Sequence, residues 1–548
     1  MEKSKSRVLS QDSDRIPKSL QVFSIPELAV IITRNSARQD RARMLRACKL
    51  LYNIAVPFVW EHVDDAKHLL LLLNAAYETQ SRDPRLPLSQ ISLADCARSN
   101  DPFVRFDFYA PHVKSLDVCG SKGEMIEVTG WKVLIARSRR QALLPNLHTL
   151  TITSFASTDG PNQPMWIGAF SCPSLVNIEI ATSDLRSVPT VSYPTASYIM
   201  RYLGLRCPKI ERLSLFPSVG KDDRSDHAEI GLRAFPRGDI LFYMYATTLT
   251  CLRHLSCTYA WLQPLGAQVL GRLPYLESIA ACGAHNADHD SFDPAINEDL
   301  FPMLHYLYLR DPDCLESAKV MEATQIVKNL KSLHVSLGMS YYADAGEESW
   351  IMDQFSSLLL NTPNLTDLRI DANLGSNEDY VYFMDESVLG ILQRLPLKSL
   401  HLGEIRLYLQ ALSLDLASVW PFVTSLRIPW QPASLEMISR FAELPNLLEL
   451  ELRLDLRKPT REYSKTTSRL TVLEASRSSK IYSDSEDIEQ ITRALHNIFP
   501  DITRVAWPNT HIGWPSDLRE GPAKTLEYER AEFLNRYLAT LREFQTLK

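Results

Sequence analysis

One short pattern of apolar and polar positions returns along most of the chain. An apolar residue is followed by two others, a second apolar residue, one other and a third apolar residue, as in LHTLTI, LHYLYL and LLELEL. Alternating apolar side chains are typical of a β-strand that buries one face. The fourteen copies have their first apolar residues at Val113, Leu147, Leu175, Ile210, Leu252, Leu276, Leu304, Leu330, Leu365, Leu397, Val423, Leu447, Leu470 and Ile502.

The spacing of these copies predicts a repeating strand–helix unit. Successive first residues are between 23 positions (Leu447 to Leu470) and 42 positions (Ile210 to Leu252) apart. Several copies follow a proline stop, and intervening segments such as EDIEQITRALHNIF and ESWIMDQFSSLLLN have the spacing of amphipathic helices. A single unit of this kind cannot bury its apolar face, so we expect stacked units that share one continuous core.

This layout resembles leucine-rich repeats in an irregular form, since the asparagine that usually follows the strand is mostly missing. The expected fold class is α/β, an irregular leucine-rich-repeat solenoid of about fourteen repeats with a small all-α segment before it. An ordinary α/β domain with leucine-rich strands is the alternative. We expect the solenoid in residues 113–510 and a C-terminal helix in residues 511–548 that caps the last repeat, because the end of a solenoid exposes apolar surface.

A short apolar segment with basic residues, SIPELAVIITRNSARQDRARMLRACKLLYNIAVPFVWEHV, precedes the repeats from Ser24 to Val63. A unit of about forty residues is too small to build an adequate core alone. Its helices nevertheless carry many apolar residues, and we expect some of them to face a partner or the next segment. A pair of helices that caps the solenoid and binds no partner is the alternative.

Residues 21–63 resemble an F-box. Thr33 to Ser36 end the first helix where the family has apolar residues, and Pro57 is expected to end the last one. The residues that match the family pattern are Pro26, Glu27, Leu28, Leu45, Cys48, Lys49, Tyr52, Ala55, Pro57 and Trp60. F-box proteins with leucine-rich repeats are numerous in mushroom-forming fungi, and the whole layout is similar to that group.

The resemblance implies that this segment docks on a Skp-type adaptor and, through it, on a cullin–RING ligase. The chain would then be the substrate-recognition subunit of a Skp–cullin–F-box E3 ubiquitin ligase and would hold a target protein on its repeats. A leucine-rich-repeat scaffold outside any ligase, binding a single protein partner, is the alternative. The residues expected to bind the adaptor are Ile25, Pro26, Leu28, Ile32, Leu45, Cys48, Leu51 and Trp60.

The residues between the apolar positions of each strand point away from the core and are expected on the concave face of the solenoid. In the seventh to eleventh copies these positions carry tyrosine, histidine, arginine and aspartate. Tyrosine and arginine are frequent hot spots of protein interfaces. Because the copies are consecutive, we expect one target-binding patch formed by Tyr306, Tyr308, Arg310, His334, Asp367, Arg369, His401 and Arg427.

Composition and charge narrow the class of protein. The 548 residues are 45% hydrophobic and 23% charged, which is ordinary for a folded protein. The net charge of −6 predicts neither nucleic-acid binding nor a polybasic membrane anchor. The leucine run Leu69–Leu73 is far shorter than the roughly 20 apolar residues of a membrane span.

The remaining segments are assigned by their polarity. Residues 1–20 are polar, have no apolar signal region and are expected to form a disordered tail. Residues 64–112 are expected to be a helical linker and N-terminal cap. The nine cysteines form no C-x-x-C pair, which favours reduced thiols and a place in the cytoplasm or nucleus. The polar stretches Gly220 to His227, His285 to Asp293 and Lys458 to Asp487 are expected to be flexible surface loops.

Catalytic motifs are missing from the sequence, which contains no G-x-x-x-x-G-K-[ST], H-E-x-x-H, G-x-S-x-G or G-x-G-x-x-G. Two histidines and two aspartates in HNADHD, His285, Asp288, His289 and Asp290, are residue types that bind zinc or manganese. They lie in a polar loop without a scaffold to fix their geometry. We therefore expect no enzyme, no metal and no cofactor, with an enzyme that uses this loop as the third hypothesis.

Overall fold

The computed structural model describes residues 22–80, 88–98, 101–119, 125–154, 163–182, 190–218, 238–262, 264–282, 300–310, 320, 323–337, 360–372, 382–384, 386–407, 415–476, 479–482, 485–507 and 526–546. The chain divides into two compact units. Unit 1 is Met1–Pro189 with Pro194–Ser214, and unit 2 is Thr190–Tyr193 with Leu215–Lys548. The tail 1–20, the stretches 220–227 and 285–293, and most of the helix expected at 348–361 lie outside the described residues.

Unit 1 holds the N-terminal helices and a parallel sheet. Its helices are α1 (Pro26–Asn35), α2 (Arg38–Ala47), α3 (Lys49–Val59), α4 (Ala66–Leu70), α5 (Val104–Tyr109), α6 (Lys132–Ser138), α7 (Gln163–Phe170) and, but for its first residue, α8 (Tyr193–Arg206). Its strands are β1 (His62–Val63), β2 (Tyr77–Gln80), β3 (Leu88–Ser92), β4 (Ser115–Asp117), β5 (Met125–Thr129), β6 (Thr149–Ser154), β7 (Asn177–Thr182) and β9 (Arg212–Ser214). The main sheet has the parallel order β1-β4-β6-β7-β9.

Unit 2 continues the strand–helix alternation. Its helices are α9 (Gly238–Ala246), α10 (Pro264–Gly271), α11 (Thr324–Val327), α12 (Glu386–Leu392), α13 (Leu416–Val419), α14 (Leu435–Phe441), α15 (Ser485–Ile498) and α16 (Leu526–Thr546). Its strands are β8 (Val191–Ser192), β10 (Pro217–Ser218), β11 (His254–Thr258), β12 (Ser278–Cys282), β13 (Tyr306–Arg310), β14 (Ser332–Leu337), β15 (Asp367–Ala372), β16 (Tyr382–Met384), β17 (Ser399–Gly403), β18 (Ile405–Leu407), β19 (Ser425–Ala433), β20 (Glu449–Leu456), β21 (Val472–Ala475), β22 (Lys480–Ile481) and β23 (Arg504–Ala506).

The unit 2 sheet is parallel in the order β11-β12-β13-β14-β15-β17-β19-β20-β21-β23. β8 with β10 and β16 with β18 form two separate two-stranded sheets, and β22 pairs with β20. Each unit is thus an α/β solenoid of the irregular leucine-rich-repeat type, because neighbouring strands follow one another in the sequence and connecting segments return the chain.

The predicted repeat pattern is confirmed at every copy. All fourteen motifs form strands of the parallel sheets, four in unit 1 and ten in unit 2. Their fourteen first apolar residues have relative exposures between 0% and 1%. Strand β13 shows the expected alternation, since Leu307 and Leu309 are buried and their neighbours are not. The apolar period of the sequence therefore positions the core strands.

Short side chains at the start of the strands connect neighbouring repeats. Asn146 and Asn446, the asparagines of LPNL, donate to the carbonyls of Pro111 at 2.7 Å and Pro421 at 2.8 Å. In other copies a threonine directly after the first apolar residue of the motif makes a similar bond. Thr424 Oγ1, for example, donates to the Lys398 carbonyl at 3.1 Å. The asparagine bonds satisfy carbonyls at the turn, whereas the Lys398 carbonyl also accepts from the backbone N–H groups of Thr424 and Ser425.

Residues 64–112 differ from the helical linker expected there. They contain the short helices α4 and α5 but also the antiparallel pair β2 and β3, which β5 extends in parallel. The sequence LSQIS alternates apolar and polar residues, and Ile91 is 0% exposed. This short alternation favours a strand once β5, more than thirty residues later, supplies a pairing edge.

The charged stretch from Lys458 to Asp487 is not one flexible loop. Within it lie β21, β22 and the start of α15. The irregular part is held to α15, since Thr466 donates its backbone N–H to the Asn497 carbonyl at 3.1 Å and its hydroxyl to the Ile498 carbonyl. The charges that predicted a loop lie at solvent-facing positions of ordered structure, such as the pair of Lys458 with Asp487 at 3.0 Å.

The expected C-terminal helix is present as α16, where Ala531, Leu534 and Leu538 are buried. Asn535 accepts a hydrogen bond from the Val505 N–H at 2.7 Å and donates one to the Val505 carbonyl at 2.9 Å. One side chain thus pairs both backbone groups of a residue in β23, the outermost strand of the unit 2 sheet. No helix in the described part of the chain is long and apolar enough to cross a membrane.

Candidate functional site

Helix α1 exposes a group of large apolar side chains. Ile25, Leu28, Ile31 and Ile32 recur at helical spacing on one side, while Ala29 and Thr33 on the adjoining side are buried and α1 packs on α3. The exposed fractions are 37% for Val22, 47% for Ile25, 40% for Leu28, 39% for Val30 and 55% for Ile31. We call these five residues the α1 patch. It is the first candidate site of unit 1.

Local sequence explains both ends of this helix. Pro26 occupies its first turn, where a missing N–H costs nothing, and Glu27 complements the positive end of the helix dipole. At the other end Asn35 and Ser36 donate to the carbonyls of Ile31 at 2.8 Å and Ile32 at 2.7 Å. These polar residues, which depart from the F-box pattern, terminate α1.

The predicted adaptor-binding residues are not equally accessible. Ile25, Pro26 and Leu28 are exposed, and Ile32, Leu45 and Cys48 are half-buried. Leu51 is only 7% exposed and belongs to the core of the helical segment beside Ala55 and Val56.

Trp60 packs against α5 of unit 1. The sequence placed this residue among those expected to bind the adaptor. Its ring lies 4.5 Å, centroid to centroid, from that of Tyr109, whose hydroxyl is 2.8 Å from the hydroxyl of Tyr52. Pro57 does not end α3 as expected, since the helix continues to Val59. A proline within the last turn removes only one backbone hydrogen bond, so the helix can continue past it.

Polar contacts attach the helical segment to the rest of unit 1. Arg38 pairs with Asp64, and the carboxylate of Glu61 accepts from Lys114 at 2.8 Å. The chain leaves α3 and enters β1, which pairs with β4 as the first strand of the unit 1 sheet. The α1 patch is therefore carried on helices that pack directly against the sheet-bearing part of unit 1.

The second candidate site lies on the outward face of the unit 2 sheet. Parallel register aligns one outward residue from each of seven successive strands. We call this line the middle row. Its members, in order from β13 to β21, are Tyr308, His334, Arg369, His401, Arg427, Glu451 and Glu474.

Asp371 connects three members of the middle row. Its carboxylate lies 2.8 Å from His334 Nε2, 3.1 Å from His401 Nε2 and 2.7 Å from Arg369 Nε. Burial raises the pKa of Asp371, but hydrogen bonds from His334, His401 and Arg369 outweigh it and hold that pKa well below its ordinary value. The carboxylate is thus ionised and fixes the orientation of two imidazoles and one guanidinium.

Gly403 makes room for this carboxylate. It lies opposite Asp371 in the register of β15 and β17. A Cβ atom at this position would be 2.5 Å from Asp371 Oδ1, which is closer than any real contact. The Asp371 cluster, which we define as Asp371, His334, His401 and Arg369, therefore depends on a glycine in the neighbouring strand.

The two ends of the middle row differ in chemistry. At the β13 end the rings of Tyr308 and His334 stack at 4.2 Å with an interplanar angle of 14°. At the other end Arg427 pairs with Glu449 at 3.3 Å and with Glu474 at 3.7 Å. Burial raises the pKa of Glu451, while the electrostatic influence of the nearby His401 and Arg427 acts against that rise. The row therefore runs from aromatic through basic to acidic.

The structure brings most of the predicted target-binding residues together. Tyr308, His334, Arg369, His401 and Arg427 lie in the middle row. Tyr306 and Asp367 lie in the adjacent outward row, and Arg310 is the last residue of β13.

Sequence reasoning missed the acidic end of this face, Glu449, Glu451 and Glu474. The signal was present, because the motifs LLELEL and LTVLEA place glutamates at the outward positions of two further strands. In the described part of the chain no cluster of three or more histidine, cysteine, aspartate or glutamate side chains has the arrangement of a metal site. The HNADHD stretch, His285 to Asp290, lies outside the described residues.

No protein-family model matches the sequence, and no curated protein matches it. Solved structures with a related fold include a chain of the Rad7 and Elc1 complex from yeast, with 14% identity, 72% of this chain and 86% of that chain covered, and a TM-score of 0.36. The leucine-rich-repeat protein LegL7 from Legionella pneumophila has 14% identity, coverages of 71% and 98%, and a TM-score of 0.30. A chain of the mouse RP105/MD-1 complex has 12% identity, with 74% of this chain and 64% of that chain covered, and a TM-score of 0.37. These likenesses concern the fold alone.

Proposed function

We propose that the chain is the substrate-recognition subunit of a Skp–cullin–F-box ubiquitin ligase. The observation that supports this proposal is the α1 patch. Its five large apolar side chains are exposed along one ten-residue stretch, residues 22–31, of the F-box-like segment. Large apolar side chains that are exposed in this way mark sites of protein association. In this proposal the patch docks on a Skp-type adaptor, and the outward face of the unit 2 sheet holds a target protein.

The proposed role requires no chemistry from the chain itself. A receptor that binds adaptor and target at once raises the effective concentration of the target near the ligase. The outward face of unit 2 fits target binding because it displays tyrosine, histidine and arginine on adjacent strands. Ubiquitin transfer itself belongs to the cullin–RING partner.

A scaffold outside any ligase, binding one protein partner, is the second candidate. It is favoured by the placement of two predicted adaptor-binding residues, since Leu51 is buried and Trp60 packs on Tyr109. Fewer residues are then left for an adaptor than the F-box resemblance implies. In this case the α1 patch and the unit 2 face contact the same partner or only one of them is used.

Co-purification with a Skp-type adaptor and a cullin tests the proposal. We expect the wild-type chain to retain both proteins and the double variant Ile25→Asp, Leu28→Asp to lose them, because two buried charges oppose an apolar contact. The matched control is Leu205→Asp, which changes a leucine that is 74% exposed in α8 of the same unit. It should bind the adaptor like the wild type.

Circular dichroism and thermal unfolding check that the double variant is folded, as expected for side chains already in solvent. Retention of the adaptor by the folded double variant contradicts the proposed docking surface. Absence of any adaptor from wild-type preparations, together with a single other partner, identifies the scaffold instead.

A further inference from the structure

Two charged side chains of the middle row, Arg369 and Glu451, have hydrogen-bonding groups without a partner among the described residues. Arg369 is 53% exposed and donates to Asp371 through Nε, whereas its two terminal amino groups make no hydrogen bond to a described residue. Glu451 is half-buried and has neither a hydrogen bond nor an ion pair with any residue that the structure describes. A partly desolvated carboxylate without a donor is costly unless a ligand supplies one.

The two middle-row residues between Arg369 and Glu451 already form ion pairs or hydrogen bonds within the protein. His401 is bound to Asp371 at 3.1 Å, and Arg427 lies between Glu449 and Glu474. Arg369 and Glu451 thus form a positive and a negative end with occupied groups between them. A ligand that complements this line needs a negative group at one end and a positive group at the other.

The register fixes how far apart these ligand groups must be. Arg369, His401, Arg427 and Glu451 follow one another on the adjacent strands β15, β17, β19 and β20. Three steps between strands of about 4.8 Å each give about 14 Å. An extended peptide advances about 3.4 Å per residue, so about four residues span this distance.

We propose that the outward face of unit 2 binds an extended segment of a partner protein that crosses the strands and carries an acidic and a basic residue four positions apart. The acidic side chain pairs with the terminal amino groups of Arg369, and the basic side chain pairs with Glu451. This inference rests on the proposed role of the chain as a protein receptor and gives the chemistry of the target segment. The Asp371 cluster holds Arg369 in position.

Charge complementarity selects a peptide of mixed charge as the occupant. A nucleic acid presents only negative groups and would face Glu449, Glu451 and Glu474 at one end of the row. A uniformly acidic or uniformly basic peptide matches only one of the two ends. Exposed ion pairs are individually weak, so the two pairs together should discriminate by a factor of about ten.

The probe is a set of fluorescein-labelled, acetylated and amidated twelve-residue peptides with one Glu and one Lys in a serine–alanine background. The spacing between Glu and Lys varies from two to eight residues in both orders, and fluorescence anisotropy with the full chain measures binding. We expect a spacing of four to bind about five to ten times more tightly than spacings of two or eight, and one order to be preferred. Equal binding at all spacings, or no binding of any peptide, overturns the proposal.

Matched variants assign each peptide charge to its partner. Arg369→Gln is compared with Arg394→Gln, an exposed arginine in the turn after α12, and Glu451→Gln with Glu443→Gln in the turn after α14. Arg369→Gln should abolish the effect of replacing the peptide Glu by Gln, and Glu451→Gln should abolish the effect of replacing the peptide Lys. If the protein substitution and the peptide substitution have additive effects on binding, the proposed pairing is wrong. If a protein variant folds poorly, the peptide replacements still test the proposal with the wild-type chain.

Failure of this inference and failure of the proposed function have different signatures. If the adaptor co-purifies but peptide binding ignores spacing and charge, the chemistry of the target segment is wrong and the receptor role stands. If the peptide cycles succeed while the folded Ile25→Asp, Leu28→Asp variant keeps the adaptor, the adaptor surface is wrong and the peptide site stands.

Discussion

A single aspartate organises the candidate target-binding surface at the residue scale. Asp371 accepts hydrogen bonds from His334, His401 and Arg369, which come from three adjacent strands. Arg369 lies two residues before Asp371 on the same strand, but the two histidines do not follow from the local sequence, since His334 is 37 residues away. Their alignment depends on strand register, and the space for the carboxylate depends on Gly403.

Replacing Asp371 by Asn should lower the free energy of unfolding by about 1–2 kcal/mol at neutral pH, because a partly buried charged hydrogen-bonding group is lost. The folded-state pKa of Asp371 is depressed, so this stabilisation is fully present above the unfolded pKa of about 4 and is lost as the pH falls toward the folded value. Urea unfolding at pH 7 and near pH 3.5 should therefore show a smaller difference at the lower pH. The control is Asp367→Asn, and a difference independent of pH contradicts the assignment.

Gly403→Ala should destabilise the protein by about 1–3 kcal/mol, because the new methyl group meets the Asp371 carboxylate. The same substitution should cost less in an Asp371→Ala background, where that carboxylate is absent. Thermal unfolding of the four proteins measures the coupling between the two positions. Equal costs in both backgrounds mean that Gly403 acts through its backbone alone. Gly390→Ala, where an added Cβ meets nothing within 4 Å, is the matched control.

At the scale of elements, α16 closes the outer edge of the unit 2 sheet. An unpaired strand edge is open to association with other chains. Asn535 prevents this at Val505 by pairing both of its backbone groups, and the buried Leu534 and Leu538 attach the helix. The sequence predicted the helix from its apolar spacing but gave no sign that Asn535 acts as part of the sheet.

Asn535→Ala should cost about 1–3 kcal/mol, because two backbone groups of β23 lose their partners. Hydrogen exchange should show faster exchange of the Val505 amide with little change in the amides of β15. Thr540→Ala is the control, because on the same helix it removes a hydroxyl that donates to the Arg536 carbonyl, and it should leave the Val505 amide unchanged. Unchanged exchange in Asn535→Ala excludes the proposed edge pairing.

At the scale of the whole molecule, the two candidate surfaces lie in different compact units. The α1 patch belongs to unit 1, and the middle row from Tyr308 to Glu474 belongs to unit 2. Sites that share no side chains usually respond to substitution independently. A receptor for two proteins needs this independence, because each partner must bind without displacing the other.

The effects of changing both surfaces should therefore be additive. In a chain with Ile25→Asp, Leu28→Asp and Arg369→Gln together, adaptor retention should fall as in the double variant, and peptide affinity should fall as in Arg369→Gln alone. Pull-down and anisotropy on the same preparations measure the two effects. A loss of peptide binding caused by the α1 substitutions alone contradicts independent surfaces.

The sequence by itself determined the strands, their buried residues and the helical character of both ends. Alternation of apolar residues is a local signal, and the fourteen copies repeat it with anchors that are all buried in the structure. The outward residues of five strands could be named for the same reason, because strand geometry alone decides which side chains leave the core.

Only the tertiary structure decided which distant residues meet. Three contacts join residues far apart in the chain. They are the pairing of β3 with β5, the contact of Trp60 with Tyr109, and the convergence of His334 and His401 on Asp371. Their positions depend on strand register and on loops of variable length, which the pattern within one repeat does not encode. The physical reason is that periodicity fixes the face of a strand, whereas neighbouring strands fix what lies beside it.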